Sequence, residues 1–206
     1  MSYPTLRLHP RKEESVLRFH PWIFSGAIAS FSAPVEDGDL VSVVDSKGRP
    51  LGTGHFGGGS IAVRLLSFDA EEVIDRAFYK RRLEAALRLR LSCDLVRPVG
   101  SSDSPNTTYR LVHGEGDSLP GLIIDIYDRT AVVQAHSLGM HQARQTIAEV
   151  LWEVFAEAGD PVLPLEGVYY KSETTLPTRD MRELASDGFL IGHTEAAPIY
   201  ENGVRF

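Results

Sequence analysis

Gly52-Thr53-Gly54-His55-Phe56-Gly57, continuing through Gly58-Gly59-Ser60 into Ile61-Ala62-Val63-Arg64-Leu65-Leu66, decides how the first part of the chain is read. Its first six letters match the glycine fingerprint of a dinucleotide site. Such a site needs the glycine loop to open a helix, whose N-terminus holds the pyrophosphate. Here the run leads into an apolar, partly β-branched segment that reads as a strand. The preferred reading is a strand whose glycines let backbone pass close to backbone. Those glycines would also let a phosphate or base approach the main chain.

Working outward, segments 5–8, 40–45, 49–56 and 61–66 read as short strands separated by Asp37-Gly38, Lys47-Gly48 and the glycine run. Several short strands with glycine punctuation predict a small barrel or sandwich. Asp69 and Glu72 have capping-box spacing and predict a helix from there to about Leu91, with Leu83, Leu87 and Leu91 on one face. Segment 97–108 is polar and turn-rich, and reads as a linker. Segments 121–126 and 130–135 form a predicted hairpin. A helix over 141–158 follows, stopped by Gly159, then strands at 167–171 and 189–193. Asn202-Gly203 marks a final hairpin between 199–201 and 204–206. The predicted class is mixed α+β: a β-barrel over 1–70, a connecting helix over 71–96, and a domain of strand-strand-helix-strand-strand order over 97–206.

The 206 residues are 43% hydrophobic and 24% charged, which excludes a disordered chain. No apolar run is long enough for a membrane span and no signal-type segment opens the chain, so a cytoplasmic protein without membrane contact is expected. A single cysteine excludes an internal disulfide and a multi-thiolate metal site. Charge is unevenly spread. Residues 1–92 hold 13 Lys+Arg against 11 Asp+Glu, net +2, whereas residues 93–206 hold 8 against 17, net -9. An anionic partner would therefore meet the first half.

Two clusters carry candidate chemistry. Arg18-Phe19-His20-Pro21-Trp22-Ile23-Phe24 combines cations, a histidine and aromatics, as RNA contacts do, although Trp22 and Phe24 read more readily as core. The expected RNA contacts are Arg11, Lys12, Arg18, His20, Arg64, Arg81 and Arg82, chosen for positive or switchable charge in the basic half. His113-Gly114-Glu115-Gly116-Asp117 gathers three polar side chains. It reads as a structured turn, with a small metal-dependent or acid–base enzyme as the alternative. A protein-interaction module is the third reading. Cys93 reads as a small buried hydrophobe.

Three runs together resemble a known family: His20-Pro21-Trp22-Ile23-Phe24-Ser25-Gly26; Tyr109-Arg110-Leu111-Val112-His113-Gly114-Glu115-Gly116-Asp117-Ser118-Leu119-Pro120-Gly121-Leu122-Ile123; and Glu201-Asn202-Gly203-Val204-Arg205-Phe206. They are similar to bacterial class I SAM-dependent large-subunit rRNA methyltransferases that modify cytosine C5. Phe19, standing between Arg18 and His20, departs from the family pattern. The resemblance implies an N-terminal PUA domain followed by a central α/β domain, with structured RNA, large-subunit rRNA, as partner. It supports Arg18 and His20 among the expected contacts. The family's S-adenosylmethionine loop and nucleophilic cysteine match nothing in these residues. No cofactor and no catalytic residue are therefore expected in this chain, and S-adenosylmethionine is expected only for a full-length member. The final hairpin reads as cut short, and a homodimer through the C-terminal half is expected from it.

Overall fold

The computed structural model describes residues 3–176 and 186–206, in two compact units. The first comprises Met1–Asp75 together with Ser137–Gln142. Its sheet contains β1 (Thr5–Leu8), β2 (Trp22–Phe24), β3 (Ile28–Phe31), β4 (Leu40–Val44), β5 (Pro50–Phe56) and β6 (Ile61–Ser67). The order across the sheet is β2-β6-β5-β4-β1-β3. The two end strands, β2 and β3, are joined by the single-turn 3-10 segment Ser25–Ala27, so the sheet curls back on itself. Alternation fills its interior. Leu6, Leu8, Val41, Val43, Val63 and Leu65 are buried in one apolar cluster. A one-turn helix, α1 (Glu14–Leu17), adds Val16 to it.

The glycine run is strand β5, as its sequence context indicates. A Cβ at Gly54 would lie 2.2 Å from the carbonyl oxygen of Arg64, and one at Gly52 would lie 2.2 Å from that of Ser67. Side chains there would force β5 off β6. The same strand carries His55, which is buried. It is covered by α3 (Leu138–Gln142), a short helix distant in sequence but part of this unit. Gly139 rests on the His55 ring so closely that a Cβ there would fall 2.2 Å from its Cγ.

The second unit comprises Arg76–His136 and Ala143–Phe206. It holds α2 (Arg76–Ser92), β7 (Thr108–His113), β8 (Leu122–Tyr127), β9 (Thr130–Ala135), α4 (Arg144–Glu157), β10 (Gly167–Tyr170) and β11 (Gly188–Gly192). The sheet order is β11-β10-β9-β8-β7, and only β9 and β10 run parallel, joined by the crossover that carries α4. Alternation buries Leu122, Ile124 and Ile126 on β8 and Ala131, Val133 and Ala135 on β9. Gly159, at φ +66°, is the left-handed residue that stops α4. The final hairpin pairs β12 (Tyr200–Glu201) with β13 (Val204–Arg205) across Asn202 and Gly203, both at positive φ. It is anchored: the Tyr200 N–H donates to Thr107 Oγ1 at 3.1 Å, and the Asn202 N–H donates to Asn106 Oδ1 at 2.8 Å.

Several expectations are corrected. The helix expected from Asp69 begins at Arg76, because the Asp69 carboxylate accepts the Glu71 N–H at 2.9 Å and closes a turn instead. Three strands, not two, precede α4 in the second sheet, since β7 runs through the segment read only as a motif. The helix expected over 141–158 is two helices, α3 and α4. Trp22 is half-buried and Phe24 is exposed, because β2 buries only Ile23. Cys93 is exposed, one residue past the end of α2. Among the described residues no helix is long and apolar enough to cross a membrane.

Candidate nucleic-acid interface

The expected RNA contacts divide between the units. Arg11, Lys12, Arg18, His20 and Arg64 belong to the first; Arg81 and Arg82 lie on α2 in the second. Two of them meet at one tryptophan. Arg64 on β6 is the register partner of Trp22 on β2. The His20 ring stands edge-on to the Trp22 ring, with centroids 5.7 Å apart. The Trp22 N–H donates to His20 Nδ1 at 3.1 Å, so in the neutral imidazole the proton sits on Nε2, facing away from the backbone. Arg18 is exposed at the C-cap of α1. Arg11, at φ +66°, and Lys12 are exposed in the turn between β1 and α1.

The end of α1 has a feature that sequence reasoning missed. The Phe19 N–H donates to the Val16 carbonyl and the His20 N–H to the Ser15 carbonyl, each at 2.9 Å. That pair of bonds is the Schellman stop, whose left-handed position is normally glycine. Here the position is Phe19, at φ +61°. An L-residue in that conformation costs roughly 1–2 kcal/mol. The ring touches Phe68 edge-on at 5.3 Å, yet the residue remains 74% exposed. The signal available in the sequence was the interruption of the family pattern at Phe19.

Basic residues on α2 are differently placed. Arg76 pairs with Glu149 at 3.3 Å and Glu153 at 2.7 Å, and Lys80 pairs with Glu153 and Glu157, all on α4. Those carboxylates hold the Lys80 ammonium well above its ordinary range, chiefly through the hydrogen bonds it donates to Glu153 and Glu157. The Arg82 guanidinium lies 5.1 Å above the Phe78 ring, one helical turn away. Arg81 is exposed.

Two amides of the glycine loop after β5 are already engaged within the protein. The Gly58 N–H donates to Asp37 Oδ1 at 2.7 Å, and the Gly57 N–H donates to the Ala62 carbonyl. Behind it, His55 is held neutral. Burial, and secondarily the positive charge of Arg64, pushes its imidazole down to about 4.

The His113–Asp117 cluster is a structural joint. Gly114–Asp117 forms a 3-10 turn, closed by Ser118 at φ +57°. Both Asp117 carboxylate oxygens accept hydrogen bonds from the Arg90 guanidinium, and Oδ2 also accepts the His113 N–H at 2.6 Å. Arg90 Nε donates to the Arg110 carbonyl at 2.9 Å. Both side chains of the ion pair are almost fully buried. The carboxylate is thus spent on Arg90 rather than offered to a substrate. Among the described residues no group of three His, Cys, Asp or Glu side chains is arranged to hold a metal ion. These contacts argue against the alternative of a small enzyme built on His113, Glu115 and Asp117. The sequence signal was Arg90 itself, which continues the apolar stripe Leu83, Ala86, Leu87 and so needed a buried acid.

Comparison with known proteins bears on the first unit and on the whole chain. The sequence profile of the PUA-like domain matches residues 6–68. A Ribosomal RNA large subunit methyltransferase I of Klebsiella pneumoniae is 33% identical over 98% of this chain and 48% of its own length. One from Shewanella amazonensis is 36% identical over 97% of this chain and 47% of its own. The chain therefore spans about half the length of the curated relatives it matches. A solved structure from Streptococcus mutans, described as a SAM-dependent methyltransferase, superposes with a TM-score of 0.74 at 19% identity, over 100% of this chain and 48% of that one. A second, described as a methyltransferase complexed with SAH, gives 0.74 at 18% identity, over 100% and 47%. The fold is thus mixed α+β with a PUA-like domain.

Proposed function

We propose that this chain is the RNA-binding, substrate-positioning part of an SAM-dependent rRNA methyltransferase, acting on cytosine C5, and that it has no catalytic activity of its own. The observation that carries the reading is the meeting of His20 and Arg64 at Trp22, with Arg18 exposed at the end of α1, on a PUA-like unit in a chain whose relatives are named as rRNA methyltransferases. Cations at one corner of a β-unit suit phosphates of a folded RNA, which is gripped mainly by shape and backbone. The enzyme would act on a base taken out of its stack, and this part would hold the surrounding RNA in place. We assign Arg11, Lys12, Arg18, His20, Arg64, Arg81 and Arg82 as contacts, large-subunit rRNA as partner and the cytoplasm as compartment. The domains proposed are 1–70, 71–96 and 97–206.

The residues described do not fit S-adenosylmethionine. Its usual site needs a glycine turn leading from a strand into a helix. The Gly52–Gly57 run is itself a strand, with Gly52 and Gly54 pressed against the carbonyls of β6. The cofactor is therefore assigned to the rest of a full-length enzyme.

Titration with structured rRNA at several salt concentrations tests the reading. With roughly three to six phosphate contacts, log K should fall against log salt with a slope of about -2 to -5. Arg18→Ala should reduce that slope by about one. No measurable RNA binding would remove the proposal; an unchanged slope would remove Arg18 alone. We further propose a homodimer through the C-terminal half, where Val204 and Phe206 are 59% and 69% exposed. Light scattering should give twice the chain mass, and the mass of one chain for Val204→Asp with Phe206→Asp. A monomeric parent chain would end that proposal.

A further inference from the structure

We infer that Phe19 is a stacking platform for an unpaired base of the bound RNA, with Arg18 and His20 meeting the phosphates on either side of that base. The inference rests on the RNA-binding reading and adds the class of RNA it recognises: one with a single-stranded or looped-out nucleotide.

The backbone argues first. A helix that needs a left-handed stop residue takes glycine without strain, whereas this one takes a phenylalanine. Non-glycine residues held in that region persist where the surroundings enforce them, and they cluster at binding and catalytic sites. The Schellman bonds from Phe19 and His20 fix the corner, so the ring projects from a rigid base. Its ring meets that of Phe68 in a T-shaped pair, and 74% of the residue remains in water. A T-shaped support of this kind involves at most one face of a ring and leaves the other for a partner.

The neighbours argue next. The residues on either side of Phe19 are Arg18 and His20, both exposed, and Arg64 stands opposite Trp22; Leu17, 58% exposed, is the apolar residue beside them. The acids of α1, Glu13 and Glu14, lie at its opposite end. Aromatic rings beside cations are how proteins hold unpaired nucleotides, because every base has a π-face and every nucleotide a phosphate. In a paired duplex the base faces are already stacked, so a ring on the surface has nothing to meet.

The test compares two RNAs, a hairpin with an unpaired loop and a fully paired duplex of the same length, against the full chain and its variants. Phe19→Gly suits the backbone, so the variant should fold at least as stably as the parent. It should bind the hairpin about tenfold more weakly or worse, in keeping with the loss of one stacked base. Its salt slope should be unchanged, because no phosphate contact is lost. Duplex binding should be unaffected, and Phe19→Tyr should restore hairpin affinity. Equal hairpin binding by the parent and Phe19→Gly overturns the inference while leaving the RNA-binding reading intact, and would mark the ring as a protein-facing residue. An equal loss on both RNAs overturns it as well. Failure of the parent chain to bind either RNA takes down both.

Discussion

Asp117→Ala should lower the unfolding free energy of the second unit by about 3–5 kcal/mol, the largest effect expected of any single change considered for this chain. The reason is what it leaves behind. The Arg90 guanidinium would remain buried on the apolar stripe of α2, still bonded to the Arg110 carbonyl but without its carboxylate, and the His113 N–H would lose its acceptor. Adding Arg90→Leu to Asp117→Ala should recover much of the loss, because the double change leaves no unpaired charge. Urea unfolding of the parent, the two single variants and the double variant measures this directly. If the joint is instead catalytic, Asp117→Ala would leave stability within about 0.5 kcal/mol, the range of ordinary surface substitutions.

Acid should act on the first unit through His55. Its imidazole is pushed down to about 4 in the fold, from the ordinary value of 6.5, by burial first and by Arg64 second. The unfolded chain therefore takes up the proton first as pH falls. The stability contributed by keeping His55 neutral is complete above about pH 6.5, declines between there and about pH 4, and changes no further below. A shift of that size corresponds to about 3 kcal/mol over the window. Carboxylates also titrate in this range, so the informative quantity is the difference between the parent and His55→Gln. The variant should show the shallower dependence of unfolding free energy on pH. Identical slopes would mean that the buried ring is not the group responsible.

What could be read from the sequence follows from how each element is stabilised. Segments 40–45, 49–56 and 61–66 show themselves as strands because each buries several residues, alternately in β4 and in nearly continuous runs in β5 and β6. β2 buries only Ile23, and β3 buries none of its four residues fully, so neither carries a pattern to detect. The Asp69–Glu72 spacing misled because a capping aspartate serves a turn as readily as a helix. The Arg90–Asp117 pair spans 27 residues, and nothing local to the His113–Asp117 run says that its acid is already engaged. The corner at Phe19 lay in plain view as a residue type, but its left-handed backbone is set by hydrogen bonds across α1.

The first unit is not contiguous in the chain: residues 137–142 complete it after an excursion of more than sixty residues through the second. Synthesis on the ribosome proceeds from the N-terminus, and domains generally fold as they emerge. Strands β1 to β6 are all available once residue 67 has been made, yet the ring of His55 has no cover until α3 follows. For that interval the nascent sheet carries an uncovered imidazole and the glycine-lined surface around it. Its final stability arrives only when the ribosome has also delivered β7, β8 and β9.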